Sequence, residues 1–591
     1  MGSTSGKPLL LFTSFPGEGH TNPVLAVAKH LIEHGHAVAY LSTQAYREKI
    51  VSIGAEFLPA EWPLAGLDAE TGTTLQSMPI GVGRLAFLLI HIFYKNLVLR
   101  VEAVAAALEF LRSREPGREI VIVEDILNMS AMPYRYGRPL PRGFDRMPKT
   151  VGISPVSLML QSQDTAPFML GLPPDASESG RMRNKALNEL VNDGPMKPMI
   201  DVWKEAMRQC GCTVTPEGSP FNAWFNAYDA TFMLCSPSLE YPISDLPRHV
   251  QFAGCLPRRG IDSHTKYPAW WSDVADMDKA GPQAKKVVFV SQGTVSTNWD
   301  ELIVPTLAAL AGRDDVLTVA ALGLHGAELP RTFSVPANAR VADYLPYDAV
   351  LPYAWVFISN AGYGAFGHAV MNGVPAIFAG ETEEKPEVAM RAEWAGFAYN
   401  LRTQTPSGEQ IRQAVDAVLA DDRYRVRARE LRTENEELDA LAVIERQIST
   451  TPSSKANNDE MAAKDAITCH VLDTTVGRPA GSIRVRLEGP RGSQPPKEFE
   501  SITDDDGRIK VWLPYSSATS SGEVPVYTLD DVLGQVEASS TWTLRFDIEG
   551  YYGEGNTFFP EAVIVFRVQK GQHYHVPLLL SPYSYTTYRG S

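Results

Sequence analysis

The sequence predicts three folded units: two successive doubly wound α/β lobes, then a small all-β sandwich. Three observations predict this. At 591 residues the chain exceeds what one hydrophobic core holds. As far as about Ile448, continuous apolar runs of strand length alternate with amphipathic helical stretches, the pattern of buried parallel sheets. Beyond a polar, aperiodic stretch (STTPSSKANNDEMAAK, Ser449–Lys464), apolar residues recur at every second position, as in half-buried antiparallel strands. The expected divisions are 1–255 and 256–448 for the lobes, 449–464 for a linker and 465–591 for the sandwich. A linker of that composition leaves the units free to move independently.

The elements follow in order. Leu9–Ser14 reads as a strand buried on both faces, followed by the turn Pro16–His20. Asn22 is the expected N-cap of the next helix with Pro23 at its first position, and Gly35 ends it. Ala37–Leu41, Ile120–Val123 and Val151–Ser154 are further strands. The irregular Pro133–Pro220 region reads as acceptor-pocket or plain packing loops. Ile80–Leu99 is the most membrane-like stretch, but Arg84, His91, Lys95 and Asn96 interrupt it, as in a half-buried helix. In the second lobe the strands are Val287–Val290, Leu317–Leu322, Arg340–Tyr344, Trp355–Ser359 and Pro375–Ala379. Leu302–Ala311 and Phe366–Met371 are helices, and Glu409–Leu419 and Arg425–Ile448 close the lobe. In the sandwich, Ile483/Val485/Leu487, Ile509/Val511/Leu513 and Trp542/Leu544/Phe546/Ile548 alternate. Tyr515–Ser540 is a long excursion with a short helix at Leu529–Val536.

A net charge of −15 argues against nucleic acid or an acidic membrane surface as partner. The five cysteines (Cys210, Cys212, Cys235, Cys255, Cys469) are too few and scattered for a disulfide framework, and no membrane anchor or leader is visible. The expectation is a cytoplasmic enzyme acting on small molecules, with no metal: Cys210-Gly-Cys212 lacks a second ligand pair, and Asp504–Asp506 reads as a hairpin turn.

Gly362-Tyr363-Gly364-Ala365-Phe366-Gly367 is a literal G-x-G-x-x-G, which alone divides evenly between a dinucleotide and another phosphate ligand. Its neighbours decide. Ser291–Thr294 (SQGT), Asn338–Tyr347 (NARVADYLPY), Ser359–Gly364 (SNAGYG), Asn372–Pro375 (NGVP) and Glu383–Pro386 (EEKP) come in order. This series resembles the donor lobe of the UDP-sugar glycosyltransferases with two Rossmann-like lobes (GT-B), over about Leu9 to Gln447. The resemblance implies a UDP-sugar as co-substrate and no organic cofactor. It places Gly293, Thr294, Asn360, Gly362, Tyr363 and Gly364 at the diphosphate, and backbone N–H groups at a glycine-rich helix start suit that ligand. Tyr344 stands where relatives stack an aromatic on uracil, and equally reads as an ordinary strand residue. The base is then His20 in Gly19–Pro23 (GHTNP), oriented by Asp125, with Glu124 as competitor. Asn360-Ala361-Gly362 replaces a common His-Gly-Gly, and Glu384-Lys385 replaces a common Asp-Gln at the site gripping sugar hydroxyls. These departures leave the sugar open and make an inactive donor lobe the alternative.

In the last unit, Cys469–Asp473 (CHVLD), Asp505–Arg508 (DDGR), Phe558–Glu561 (FFPE) and the run from His573 to the ending Tyr588-Arg589-Gly590-Ser591 resemble the transthyretin-like 5-hydroxyisourate hydrolases. The resemblance assigns catalysis to His470, Arg508, His575 and the terminal Ser591, and substrate contacts to Tyr588, Arg589 and Gly590. His573 and His575 would share one face of a strand. It also implies a homotetramer formed through this domain, so a tetrameric transferase with the sandwich as scaffold is a further alternative.

Overall fold

The computed structural model describes residues 7–62, 67–260, 265–277, 281, 284–294, 296–449, 465–491, 497–504, 506–515, 527–536 and 539–590. The expected linker, apart from Ser449, and Ser591, Asp505 and much of the 515–540 excursion lie outside these residues.

The first lobe is built on a sheet of β1 (Leu9–Thr13), β2 (Ala37–Ser42), β3 (Glu56–Pro59), β4 (Ile120–Asp125), β5 (Lys149–Ser154), β6 (Ala230–Met233) and β7 (Val250–Phe252). The order is β3-β2-β1-β4-β5-β6-β7, and every pair is parallel. The second lobe holds β8 (Lys286–Ser291), β9 (Val316–Ala321), β10 (Ala339–Ala342), β11 (Ala354–Ser359), β12 (Ala376–Phe378) and β13 (Ala398–Asn400). Their order is β10-β9-β8-β11-β12-β13, again parallel. Strands such as Leu9–Thr13 and Val316–Ala321 are buried along their whole length because helices cover both faces. In each sheet the chain leaves the first strand to one side and later returns to the other. The carboxyl ends of β1 and β4, and of β8 and β11, therefore flank crevices where ligands settle in such folds.

The helix after β1, α1 (Glu18–Glu33), differs from expectation. Its N-cap is Gly17, extended at φ −137° and ψ 146°, and Pro23 lies inside it. His20 and Thr21 N–H already donate to the Gly17 carbonyl at 3.1 and 2.8 Å, so the first turn closes before Asn22 can cap it. Asn22 instead donates to Glu18 Oε2, 2.7 Å away, one turn back. His20 is thereby fixed on a helical turn.

The expected closing helix Arg425–Ile448 is two helices, Asp422–Leu438 and Ala440–Ser449, because Asp439 takes a left-handed conformation with φ 53°. The break sends the second piece back across the first lobe, where Ala440, Ile444 and Ile448 join the core of Leu10, Val24 and Ala28. Val82–Arg114 forms a helical stretch of 33 residues, long and apolar enough to cross a membrane. It contains a π-turn at Ile90–Tyr94, and Leu85, Leu89, Phe93 and Leu97 are buried in the first lobe's core. All five cysteines are unpaired.

The lobes are bolted together by the helix Lys385–Trp394. Its Arg391 lies buried between Glu240 of the first lobe and Glu387, with Nη1 2.7 Å from Glu387 Oε2, Nε on Glu240 Oε1 and Nη2 3.0 Å from the Leu158 carbonyl. Glu387 Oε1 also accepts from Met169 N and Gly171 N, at 2.7 and 3.1 Å. Arg391→Ala would leave two buried carboxylates without their cation. We expect a loss of about 3–5 kcal/mol, read as a lower thermal midpoint, with Arg391→Lys restoring only part.

The third unit packs two sheets around Trp542, Phe499 and Leu544. One holds β14 (Ile467–Asp473), β15 (Arg478–Pro479), β18 (Arg508–Ile509), β22 (Tyr574–Ser581) and β23 (Ser584–Thr587). The other holds β16 (Arg484–Glu488), β17 (Glu498–Ile502), β19 (Leu513–Pro514), β20 (Ser539–Asp547) and β21 (Glu561–Gln569). The expected strand through Ile509, Val511 and Leu513 is divided, β18 pairing with β14 and β19 with β17. The pair β14–β22 is parallel, which alternation alone could not reveal. The unit is also tied to the first lobe, against the expected independence. Arg181 reaches Asp164, Glu500 Oε1 (2.9 Å) and the Pro514 carbonyl (3.2 Å), and Arg248 pairs with Asp465 and Asp530.

Candidate active sites

At the first crevice His20 and Asp125 meet. Asp125 ends β4, and its Oδ2 lies 3.0 Å from His20 Nδ1. The carboxylate is fully buried and held by Phe15 N–H at 3.2 Å and Leu127 N–H at 3.1 Å. At 3.0 Å from the imidazole its charge can orient the ring. Phe15 packs edge-on against the imidazole, centroids 5.5 Å apart. Burial alone would lower the pKa of His20, but the Asp125 charge and hydrogen bond, with Glu384 behind them, raise it above 6.5.

Glu124, the competing carboxylate, faces the other way. It accepts from Asn128 Nδ2 (2.7 Å), Ser130 N (2.8 Å), Ala131 N (3.1 Å) and the Tyr228 hydroxyl (3.0 Å), a completely satisfied buried group. Beneath the pair lies Arg100, buried, with Nε 2.9 Å from the Asn128 carbonyl. Burial pulls its pKa down to about 10 while the charges of Glu124 and Asp125 hold it up.

Across the crevice, Gly293 and Thr294 follow β8, and Gly362 caps the helix Tyr363–Asn372 after β11. Gly293 has φ 77°, which suits glycine, and Gly362 is extended. The first N–H groups of that helix, from Tyr363 and Gly364, face outward along its axis as an anion-binding start. Two of these residues have side-chain partners within the lobe. Asn360 turns its amide to the Gln292 carbonyl, 2.9 Å away, and so holds the two glycine loops together. Tyr363 stacks on Phe366 with its hydroxyl buried toward Cys235, leaving its backbone N–H as the group at the crevice.

Tyr344 lies past the end of β10, 39% exposed, its ring 4.4 Å from that of His325. The two rings form a platform that the sequence offered only in half. Glu384 precedes the helix Lys385–Trp394; burial pushes its carboxyl up, against the pull of Lys385. Lys385 is engaged by its neighbours, with Nζ on Glu383 and 2.9 Å from Thr382 Oγ1.

The second site lies on the outer face of the sheet holding β14 and β22. His470 on β14 is opposite Arg508 of β18, and the rings of His470 and His575 are 6.4 Å apart. Thr468 Oγ1 lies 2.9 Å from His575 Nδ1. His470 Nε2 is buried without a hydrogen-bond partner among the described residues, and burial and then Arg508 lower the pKa of the ring. The shift favours the neutral ring, whose Nε2 can take a proton. The terminal segment returns over this face: Gly590 N–H donates to the His575 carbonyl at 2.8 Å, and Arg589 lies 5.2 Å over the Tyr574 ring. Tyr588 is exposed, His573 precedes β22 and is exposed, and Ser591 lies outside the described residues. A Cβ on Gly590 would sit 2.5 Å from His575 Cδ2. Gly590→Ala should therefore push the tail or the ring aside, cutting activity at this site about tenfold or more with the fold intact by circular dichroism.

Comparison with known proteins bears on both sites. UDP-glucosyltransferase 1 of Beauveria bassiana is 38% identical over 437 residues, 73% of this chain and 93% of that protein. UDP-glucosyltransferase A1 of Starmerella bombicola is 34% identical over 77% of this chain and 94% of its own. The chain belongs to the UDP-glucosyltransferase family. Residues 306–441 of this family member also match the family model described as erythromycin biosynthesis protein CIII-like, C-terminal domain. The glycotransferase of kitacinnamycin has the same fold, at a TM-score of 0.55 and 22% identity over 75% of this chain and 99% of that one. The sandwich is a member of a second family: residues 467–590 match the HIUase/Transthyretin family. The probable 5-hydroxyisourate hydrolase of Schizosaccharomyces pombe is 36% identical over 144 residues, 23% of this chain and 99% of that protein. This UDP-glucosyltransferase relative is thus a fusion of two enzyme families. Sequence reasoning missed His325 and Arg100, since a histidine in a loop and an arginine within an apolar helix carry no local signal of a site.

Proposed function

We propose that the chain carries out two reactions. The lobes transfer a sugar from a UDP-sugar to a hydroxyl acceptor with inversion, and the sandwich hydrolyses 5-hydroxyisourate. The observation that carries the first reading is the His20–Asp125 pair at the crevice facing Glu384. His20 Nε2 takes the acceptor proton as the acceptor oxygen attacks the anomeric carbon, and the bond to UDP breaks. Asp125 holds the imidazolium that forms. Gly293, Thr294 and the N–H groups of Tyr363 and Gly364 receive the diphosphate charge, and Tyr344 with His325 stacks on the uracil. Glu384 accepts hydrogen bonds from sugar hydroxyls, while Lys385 and Asn360 hold their loops. Incubation with UDP-glucose and a panel of phenolic and aliphatic alcohols should release UDP and form conjugates. No UDP release and no UDP binding would favour an inactive donor lobe.

In the sandwich, His470 accepts a proton from water, the hydroxide adds to the ring carbonyl, and Arg508 balances the oxyanion. The carbon–nitrogen bond then breaks, the nitrogen takes the proton, and the product is a ring-opened carboxylate. Thr468 orients His575, which with Gly590, Arg589, Tyr588 and Ser591 positions the substrate. Neither reaction draws on a metal or an organic cofactor.

The protein is a cytoplasmic homotetramer in this reading. The transferase lobe touches strand β17 and the edge strand β19, so the His470 face and the exposed Tyr583 and Tyr588 remain for contacts between copies. Light scattering on the full chain should give four times the 64.9 kDa mass, and a monomer would refute the assembly.

A further inference from the structure

Toward the end of α1 away from His20, four side chains converge. His30 and His34 stand one turn apart near the end of α1, His36 follows the helix, and Glu445 comes from the helix Ala440–Ser449. His30 Nε2 and His34 Nδ1 lie 3.0 and 2.6 Å from the same oxygen, Glu445 Oε2. His36 Nε2 is 3.7 Å from the other, Oε1. The potential ligand atoms of His30, His34 and Glu445 all lie within 4.8 Å of one another. His36 supplies a second, independent observation. Its side chain is 1% exposed, and neither ring nitrogen has a hydrogen-bond partner at normal distance among the described residues. Buried imidazoles are nearly always satisfied, so this one points to a missing ligand.

We propose that His30, His34 and Glu445 bind a divalent transition metal of the zinc class, with His36 beside Glu445, and that the ion staples the helix Ala440–Ser449 to α1. Two imidazole nitrogens and one carboxylate oxygen are three of the four donors that zinc takes, with water as the fourth, whereas magnesium and calcium take oxygen. Drawing the donors in to bonds of about 2.0–2.2 Å calls for side-chain rotation, which the exposed His34 permits. Lys7, whose Nζ donates to the His34 carbonyl, is the neighbouring cation, and being exposed it can swing away. At 1.5 Å per helical residue the cluster lies roughly 15–20 Å from His20, so the metal is structural. It would fix the last helix before the chain passes to the hydrolase domain.

The full chain, stripped with a chelator, should bind one equivalent of Zn2+ by calorimetry that is lost in His30→Ala/His34→Ala. Co2+ should give the strong visible absorption of a tetrahedral site, also lost in that variant. Zn2+ should raise the thermal midpoint of the wild type but not of the milder variant His34→Gln, whose affinity should fall about 100-fold. Unchanged sugar transfer by His34→Gln would show that it is folded. Equal Zn2+ binding and equal thermal shifts in wild type and variants, or no binding at all, would overturn the proposal and leave a proton-bridged ion pair.

Discussion

His20→Ala should lower kcat/KM for sugar transfer by about 100- to 10,000-fold while 5-hydroxyisourate hydrolysis continues at the wild-type rate. The reason lies in the pairing. Asp125 is fully buried and lies 3.0 Å from His20 Nδ1, so loss of the imidazole removes the proton acceptor that this pair supplies. The pH dependence should carry the same signature. A base works only when neutral, so transfer falls as pH drops through the pKa of His20. Asp125 and Glu384 raise that pKa above 6.5 against the pull of burial, so the acidic limb lies above the ordinary histidine value. In Asp125→Asn the limb should move to lower pH and the maximal rate should fall. Wild-type kinetics in His20→Ala would remove the assignment, and an unmoved limb in Asp125→Asn would break the link between the two residues.

The second large effect is expected at the other end of the chain. His575→Ala should slow hydrolysis of freshly generated 5-hydroxyisourate by about 100-fold or more, with UDP-sugar transfer unaffected. The ring of His575 is held by Thr468 and lies against Gly590, so its loss removes the polar ring, while the backbone bond from Gly590 N–H to the carbonyl of residue 575 stays. Thr468→Val should give a smaller loss by freeing the ring. The acidic limb of hydrolysis follows His470, whose pKa burial and Arg508 lower. That limb therefore lies below 6.5, opposite in direction to the transferase. At mildly acidic pH one preparation should retain hydrolysis while losing transfer. Decay no faster than the spontaneous rate in the wild type would make the sandwich a scaffold.

Much of this was legible in the chain itself, for physical reasons. Strands buried on both faces must be apolar throughout, so β1, β4, β8 and β11 stand out, and strands with one wet face must alternate, so β16 and β20 do too. The ordered glycine-rich segments marked the donor lobe, and the Tyr588–Gly590 ending marked the hydrolase domain. Local rules failed where a choice depended on distant partners. Asn22 and Pro23 look like a helix start, yet Gly17 caps α1 because the turn is anchored at the end of β1. Arg425–Ile448 has an unbroken helical pattern, yet Asp439 breaks it and so lets Ile444 and Ile448 reach the core of the first lobe. Neighbouring Glu124 and Asp125 are equivalent as letters, and only the fold turns one inward to Tyr228 and the other to His20.

By itself, then, the sequence determined the fold classes, their order and both families, because periodicity and short motifs are properties of neighbours along a chain. The tertiary structure decided what depends on neighbours in space. It set which carboxylate lies against His20, the pairing of His325 with Tyr344, and the contacts of Asn360 with Gln292 and of Tyr363 with Phe366. It also docked the sandwich on the first lobe through Arg181 and Arg248 and gathered Glu445 with three histidines. Charge, burial and hydrogen-bond satisfaction act across space, and only folding brings those partners within range.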